Sequence, residues 1–277
     1  MENFAPIRPK YVFTWKGALA LFFGGFIPLL GFSFLNVLST MVFGKNFQYE
    51  NLYFILSNAA MWIGAIYAFD YFICRPTTGK KLSFNFSTKN LSTYLLIFPL
   101  MLGMMFIAEY FTELLPTTGP VFGELYEWFS QLMNMFTQEP ITMIVMAVVM
   151  APLFEEVVFR GIIQKGLQNG GISPLKSIWI SAFLFGLIHG NPWQFVGAVL
   201  LGYVLGLVYY RTKSLLMPIL LHAFNNALSS ILIMYVGTES FSEFFGIPSL
   251  VLLGVGVVLF GIFFYLFTEK YEIHHAE

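Results

Sequence analysis

The chain has 277 residues, of which 57% are hydrophobic and only 10% charged, and its mean hydropathy is +0.74. Soluble domains carry about 25% charged residues, so this composition excludes one. A formal net charge of −1 gives no footing for a nucleic-acid partner, and a single cysteine, Cys74, excludes an intrachain disulfide.

A helix needs roughly 20 mostly apolar residues to span a bilayer. Eight segments meet that measure, near residues 16–40, 52–74, 92–111, 141–164, 174–190, 194–210, 215–236 and 247–267. The first apolar run, Ala18–Phe43, outlasts the roughly 7–15 residues of a signal-peptide core and reads as a retained span. Between the third and fourth segments, Pro120–Glu139 sets Phe122, Leu125, Trp128, Phe129, Leu132 and Phe136 at helical spacing. That pattern fits an amphipathic helix on the outer membrane surface. No repeat, linker or low-complexity tract interrupts the chain. The expected fold class is all-α: a polytopic membrane protein of about eight transmembrane helices around a polar intramembrane cavity. Residues 1–277 read as one domain, with 140–230 as its functional core segment.

Lysine and arginine placement sets orientation. Arg8, Lys10, Lys16, Arg75, Lys80, Lys81, Lys89, Arg160, Lys165, Lys176, Arg211, Lys213 and Lys270 fall on the presumed cytoplasmic side, and only Lys45 on the other. The run 110–141 has no basic residue, as an external loop should. The bias agrees with an even number of spans and with both termini in the cytoplasm. A seven-helix reading would break that alternation.

The informative residues are the polar ones that sit deep in apolar segments, where burying a charge is costly and marks function. In the fourth segment, Glu155-Glu156-x-x-x-Arg160 puts Glu156 and Arg160 four apart, on one helix face. In the fifth, Phe185-x-x-x-His189 repeats that spacing, and in the seventh His222-x-x-x-Asn226 does so again. The other two histidines, His274 and His275, lie in the tail. At ~1.5 Å per residue, Glu155 lies roughly 15 Å from Lys165, His222 about 14 Å beyond Lys213, Asn226 ~20 Å beyond Lys213 and His189 about 20 Å beyond Lys176. The depths are mutually compatible. His189 is followed at once by Gly190-Asn191-Pro192, and a helix break there is tolerable only in a cavity or within protein.

Such a set permits hydrolysis. A carboxylate with an imidazole can take a proton from water, and a second imidazole with an amide can donate hydrogen bonds to an oxyanion. Two histidines and a glutamate, here Glu155, His189 and His222, can also hold zinc, although the HExxH signature is absent. Spacing alone does not separate a metal-bound water from a glutamate-activated one. Each residue also has a plain reading. Arg160 can mark a cytoplasmic helix end, His222 and Asn226 can be interhelical glue, and Phe185 is packing. Asp70 and Glu109, near helix ends, read as interfacial. Gly202-x-x-x-Gly206 reads as close helix packing that lets the sixth helix approach the others. Buried Glu, Arg and His also serve proton-coupled carriers, but the paired half-repeats common in transporters are missing.

The three motifs in this order resemble those of the CAAX-processing and bacteriocin-processing (CPBP, or Abi) intramembrane proteases, which include type II CAAX prenyl endopeptidases. The stretch Tyr210–His222 is similar to the run before that family's third motif, and the resemblance covers about residues 140–230. It implies an endopeptidase acting on a membrane-associated peptide or lipidated protein. By the same resemblance, Glu155 would be the general base, His189 its partner in activating water, and His222 with Asn226 the oxyanion site. Glu156 and Arg160 would support them. The family has been described both as zinc-dependent and as metal-free, and an asparagine beside a histidine suits the metal-free form. Bacterial relatives are compact like this chain, which implies a prokaryotic plasma membrane. The alternative is a non-catalytic membrane protein, either a proton-coupled carrier or a bacteriocin-immunity factor that acts by binding.

Overall fold

The computed structural model describes residues 9–44 and 50–270. Arg8, Lys45, His274 and His275 lie outside the described residues. Among those described there is no strand, and seven helices are long and apolar enough to cross a membrane. In chain order the helices are α1 (Trp15–Phe43), α2 (Asn51–Thr78), α3 (Leu91–Glu113), α4 (Phe122–Thr137) and α5 (Pro140–Asn169). They continue as α6 (Pro174–Leu187), α7 (Pro192–Thr212), α8 (Leu216–Val236), the short α9 (Phe241–Phe245) and α10 (Ser249–Glu269). The protein is an all-helical, multi-pass membrane protein.

The expected eight segments map onto seven long helices and the shorter α6, which has 14 residues. Fourteen residues rise only about 21 Å, less than the roughly 30 Å hydrocarbon core. The reason is local. Proline disfavours helical backbone in the residue before it, so Asn191 takes an extended conformation (φ −141°, ψ 150°) and becomes the N-cap of α7. Its side chain accepts a hydrogen bond from the backbone N–H of Gln194 at 2.9 Å, and Pro192 occupies the first turn, where its missing N–H costs nothing. Gly190, at φ +70°, makes the turn. The α6 helix therefore stops at Leu187, and His189 sits on the break.

Two compact units divide the chain. The first takes the chain through Phe84 together with Gly161–Ser173. There α1 packs on α2, with Tyr11, Phe69, Cys74 and Ile162 in the core. The helices cross closely because a Cβ on Gly24 would lie 2.7 Å from the carbonyl oxygen of Gly64. Asp70, read as interfacial, is buried and ties the end of α2 together: it accepts from Arg75 Nη2 at 2.6 Å and from the Leu82 N–H at 2.7 Å.

The second unit comprises Asn85–Arg160 and the chain from Pro174 onward. Its core joins α3, α7, α8 and α10 through residues such as Leu100, Met101, Leu205, Val208, Leu221 and Leu252. Glu109, also read as interfacial, caps α9, accepting from the backbone N–H groups of Phe241 and Ser242 at 2.8 Å each. Those donors have no partner inside so short a helix. The expected amphipathic helix is α4. Its Phe122, Tyr126 and Phe129 rings surround buried Trp193 of α7, with the Phe129 ring stacked on it at 5.9 Å. Trp128, on the predicted apolar face, is exposed instead.

Candidate functional site

The site grows from an irregularity in α5. Pro152 cannot donate a backbone hydrogen bond, and the helix widens to π geometry over Ile144–Met150 just before it. The N–H of Ala151 accordingly reaches back five residues to the carbonyl of Met146. The carbonyl of Ala147 is left without a backbone donor: its four-residue partner is committed, and its five-residue partner is Pro152. The Nδ2 amide of Asn226, on α8, fills that gap at 2.7 Å. Asn225 Nδ2 in turn donates to Asn226 Oδ1 at 2.9 Å. One N–H of the Asn226 amide is thus spent on anchoring α8 to α5, and the other stays free to donate.

One turn after Pro152, α5 presents its charges. Glu156 and Arg160 are fully buried and pair through Nη1 and Oε1 at 2.9 Å. Arg160 Nη2 also donates to the carbonyl of Gly202 at 3.0 Å. Glycine eases the approach, because a Cβ would stand 3.2 Å from that same Nη2 and 3.2 Å from Ala182 of α6, a tight contact on both sides. The guanidinium lies over the Phe185 ring, 4.7 Å from its centroid, an attraction that strengthens when desolvated. Arg160, counted among the cytoplasmic charges, is therefore an interior residue, and the plain helix-end reading of it does not hold.

His222 meets this pair from α8. Its Nδ1 is 2.9 Å from Glu156 Oε1, the oxygen that Arg160 also holds. Its Nε2 is 3.9 Å from Glu155 Oε2. Glu155 and His222 keep side-chain exposures of 13% and 7%, against zero for Glu156 and Arg160. The latter pair is sealed in the interior, and the former keeps a small exposed edge. His189 donates from Nδ1 to the carbonyl of Phe185 at 2.9 Å, and Phe185 meets both imidazoles edge to face, with centroids 5.1 Å and 5.5 Å away. Glu155, Glu156, Arg160 and His222 form one connected group. Asn226 joins through α5, and His189 through Phe185.

Zinc was the other reading of Glu155, His189 and His222. Both rings commit Nδ1 and leave Nε2 uncommitted, as metal-bound histidines do. Among the described residues, however, no three His, Cys, Asp or Glu side chains are grouped closely enough to hold one ion. In this arrangement Glu155, His189 and His222 do not converge on one point.

Sequence reasoning found the charged residues and missed what sets them in place. Ser181 Oγ donates to the Phe159 carbonyl at 2.7 Å, fastening α6 to α5 beside the pair. The signal for the Asn226 anchor was present in Pro152, since a proline inside a helix always frees a carbonyl.

Glutamate, histidine and asparagine thus come together within the second unit of a polytopic helical membrane protein. Residues 137–228 match the model of the family described as Rce1-like, type II CAAX prenyl endopeptidase Rce1-like. That match, to a protease family, spans all three motifs and supports the resemblance over this segment. No curated protein and no solved structure matches the chain.

Proposed function

We propose that this protein is an intramembrane endopeptidase that hydrolyses a peptide bond of a membrane-associated protein or peptide. The observation that carries the reading is the Glu155–His222 pair, which keeps a small exposed edge beside the fully buried Glu156–Arg160 pair, within the segment similar to a protease family. Glu155 is the general base. The attacking water donates one O–H to Glu155 and the other to Nε2 of His189, which turns its lone pairs toward the scissile carbonyl. Its oxygen forms the new C–O bond while its proton passes to Glu155. The oxyanion takes the free amide N–H of Asn226. The resemblance gave His222 a share in that role, but a neutral His222 spends its one N–H on Glu156, so in this reading it carries the proton instead. Nε2 of His222 receives the proton from Glu155 and delivers it to the nitrogen as the C–N bond breaks. The products are a carboxylic acid, which keeps the second water proton, and an amine. They part as carboxylate and ammonium once that proton moves, and no other reactant enters.

The substrate class drawn from the family is a lipidated or membrane-held peptide, with membrane lipid as the surrounding partner. With α6 counted as a short eighth crossing, the distribution of basic residues supports cytoplasmic termini. The test compares peptide ends in the membrane and secreted proteomes of matched cells carrying wild-type protein or Glu155→Gln at equal levels. Ends that vanish only in the variant establish proteolysis and name the substrate. If purified Glu155→Gln cleaves that substrate at the wild-type rate, the mechanism is wrong. If no end differs and the wild-type phenotype persists in the variant, binding or transport takes its place.

A further inference from the structure

Glu156 has no assigned part in the reaction beyond support, yet its carboxylate oxygen is the one atom that both Arg160 and His222 reach. The guanidinium cannot be deprotonated in a protein, so it donates, and the oxygen it holds is an acceptor with a second lone pair to offer. The other contact to that oxygen, from Nδ1 of His222, must then also be a donation. A neutral imidazole has one N–H only. If Nδ1 carries it, Nε2 is bare, and Nε2 is the nitrogen 3.9 Å from Glu155.

On this basis, and resting on the proteolytic reading, we infer that Glu156 is a positioning residue that fixes His222 in the tautomer protonated on Nδ1, so that Nε2 alone exchanges protons with Glu155 and the substrate. The hold on Glu156 is itself built. Arg160 is pinned by the Gly202 carbonyl and by the Phe185 ring, and both members of the ion pair have no solvent exposure. The chain runs Gly202 carbonyl, Arg160, Glu156, His222, Glu155. It has the logic of a hydrolytic triad, in which a buried carboxylate orients an imidazole without taking the proton. The charged and titratable groups facing His222 are Glu155 and Glu156 from α5, the latter backed by Arg160, and His189 from the end of α6.

The tautomer can be read without any substrate. The full-length protein, labelled with ¹⁵N in its four histidines and held in lipid nanodiscs, is titrated while ring nitrogen shifts are recorded. Loss of a signal set in His222→Gln assigns that ring. The expected neutral form of His222 shows a protonated Nδ1 and a bare Nε2. In Glu156→Gln the amide can also present its NH₂ to Nδ1, so the Nε2-protonated form should appear. Against the substrate found by the proteome comparison, kcat should fall on the order of 10⁴-fold, as when the orienting carboxylate of a triad becomes an amide, with KM little changed. A wild-type neutral ring protonated on Nε2 overturns the inference, even if Glu156→Gln fails to fold. So does an unchanged tautomer in Glu156→Gln. A protein that shows the expected tautomer but cleaves nothing overturns proteolysis and leaves the geometry standing.

Discussion

Asn226 donates from Nδ2 to the carbonyl of Ala147 at 2.7 Å, and that carbonyl is one α5 cannot satisfy alone. The cause sits five residues on, at Pro152. Two helices distant in sequence are thus joined where a proline opened one of them. Intramembrane backbone groups left unpaired are costly, which makes the joint a structural need as well as a way of placing an amide beside the site.

Asn226→Leu should therefore cost about 1–3 kcal/mol, the penalty of a buried unsatisfied carbonyl. In a Pro152→Ala background the cost should shrink, because residue 152 regains an N–H that can reach Ala147. Unfolding of the four proteins of this cycle in mixed detergent measures the coupling. Equal costs in both backgrounds would show that proline does not create the need for Asn226.

Much of the site was legible because polar groups in apolar segments have few reasons to be there. Glu155, Glu156, Arg160, His189, His222 and Asn226 stood out by type and spacing, and simple helix rise placed them at similar depth. The partners were not legible. Spacing put Glu156 and Arg160 on one face, but not the Gly202 carbonyl, 42 residues away, that receives the guanidinium. The roles of Asp70 and Glu109 were missed because both bond to backbone N–H groups of other segments, which no side-chain pattern announces. The length of α6 was misjudged for a related reason. Hydropathy runs on through Ile188, whereas the helix obeys Gly190 and Pro192.

The Glu156–Arg160 pair should respond asymmetrically to mutation. Removing one member strands the other charge in the interior, at about 3–5 kcal/mol, while replacing both by apolar residues of similar volume is often neutral or better. Arg160→Met alone should lower stability sharply, and Arg160→Met with Glu156→Leu should recover most of the loss without recovering cleavage. Thermal unfolding in detergent gives the first comparison and a cleavage assay the second. A double variant no more stable than Arg160→Met would mean that the pair contributes net stability of its own.

Gly202→Ala is the smallest change that reaches the site from outside it. The added methyl would stand 3.2 Å from Arg160 Nη2 and from the backbone and side chain of Ala182, so α6, α7 or the guanidinium must give way. Overpacking of this kind costs about 1–3 kcal/mol. Gly202→Ala should also weaken cleavage more than Gly254→Ala, since a Cβ on Gly254 meets nothing within 4 Å. Equal activity in the two variants would show that the Gly202 carbonyl does not fix Arg160.

Metal removal tests the chemistry at its centre. Nδ1 of His189 is bound to the Phe185 carbonyl and Nδ1 of His222 to Glu156. Glu155 approaches only one of the two rings, with His222 Nε2 at 3.9 Å. An ion would need Glu155 and both Nε2 atoms at roughly 2.0–2.2 Å, a convergence absent among the described residues. Protein dialysed exhaustively against a chelator should therefore keep full cleavage activity, with metal content far below one ion per chain by elemental analysis. A stoichiometric metal that leaves together with activity, and restores it on return, would replace the glutamate-activated water with a metal-bound one. It would also require His189 to swing its Nε2 toward Glu155.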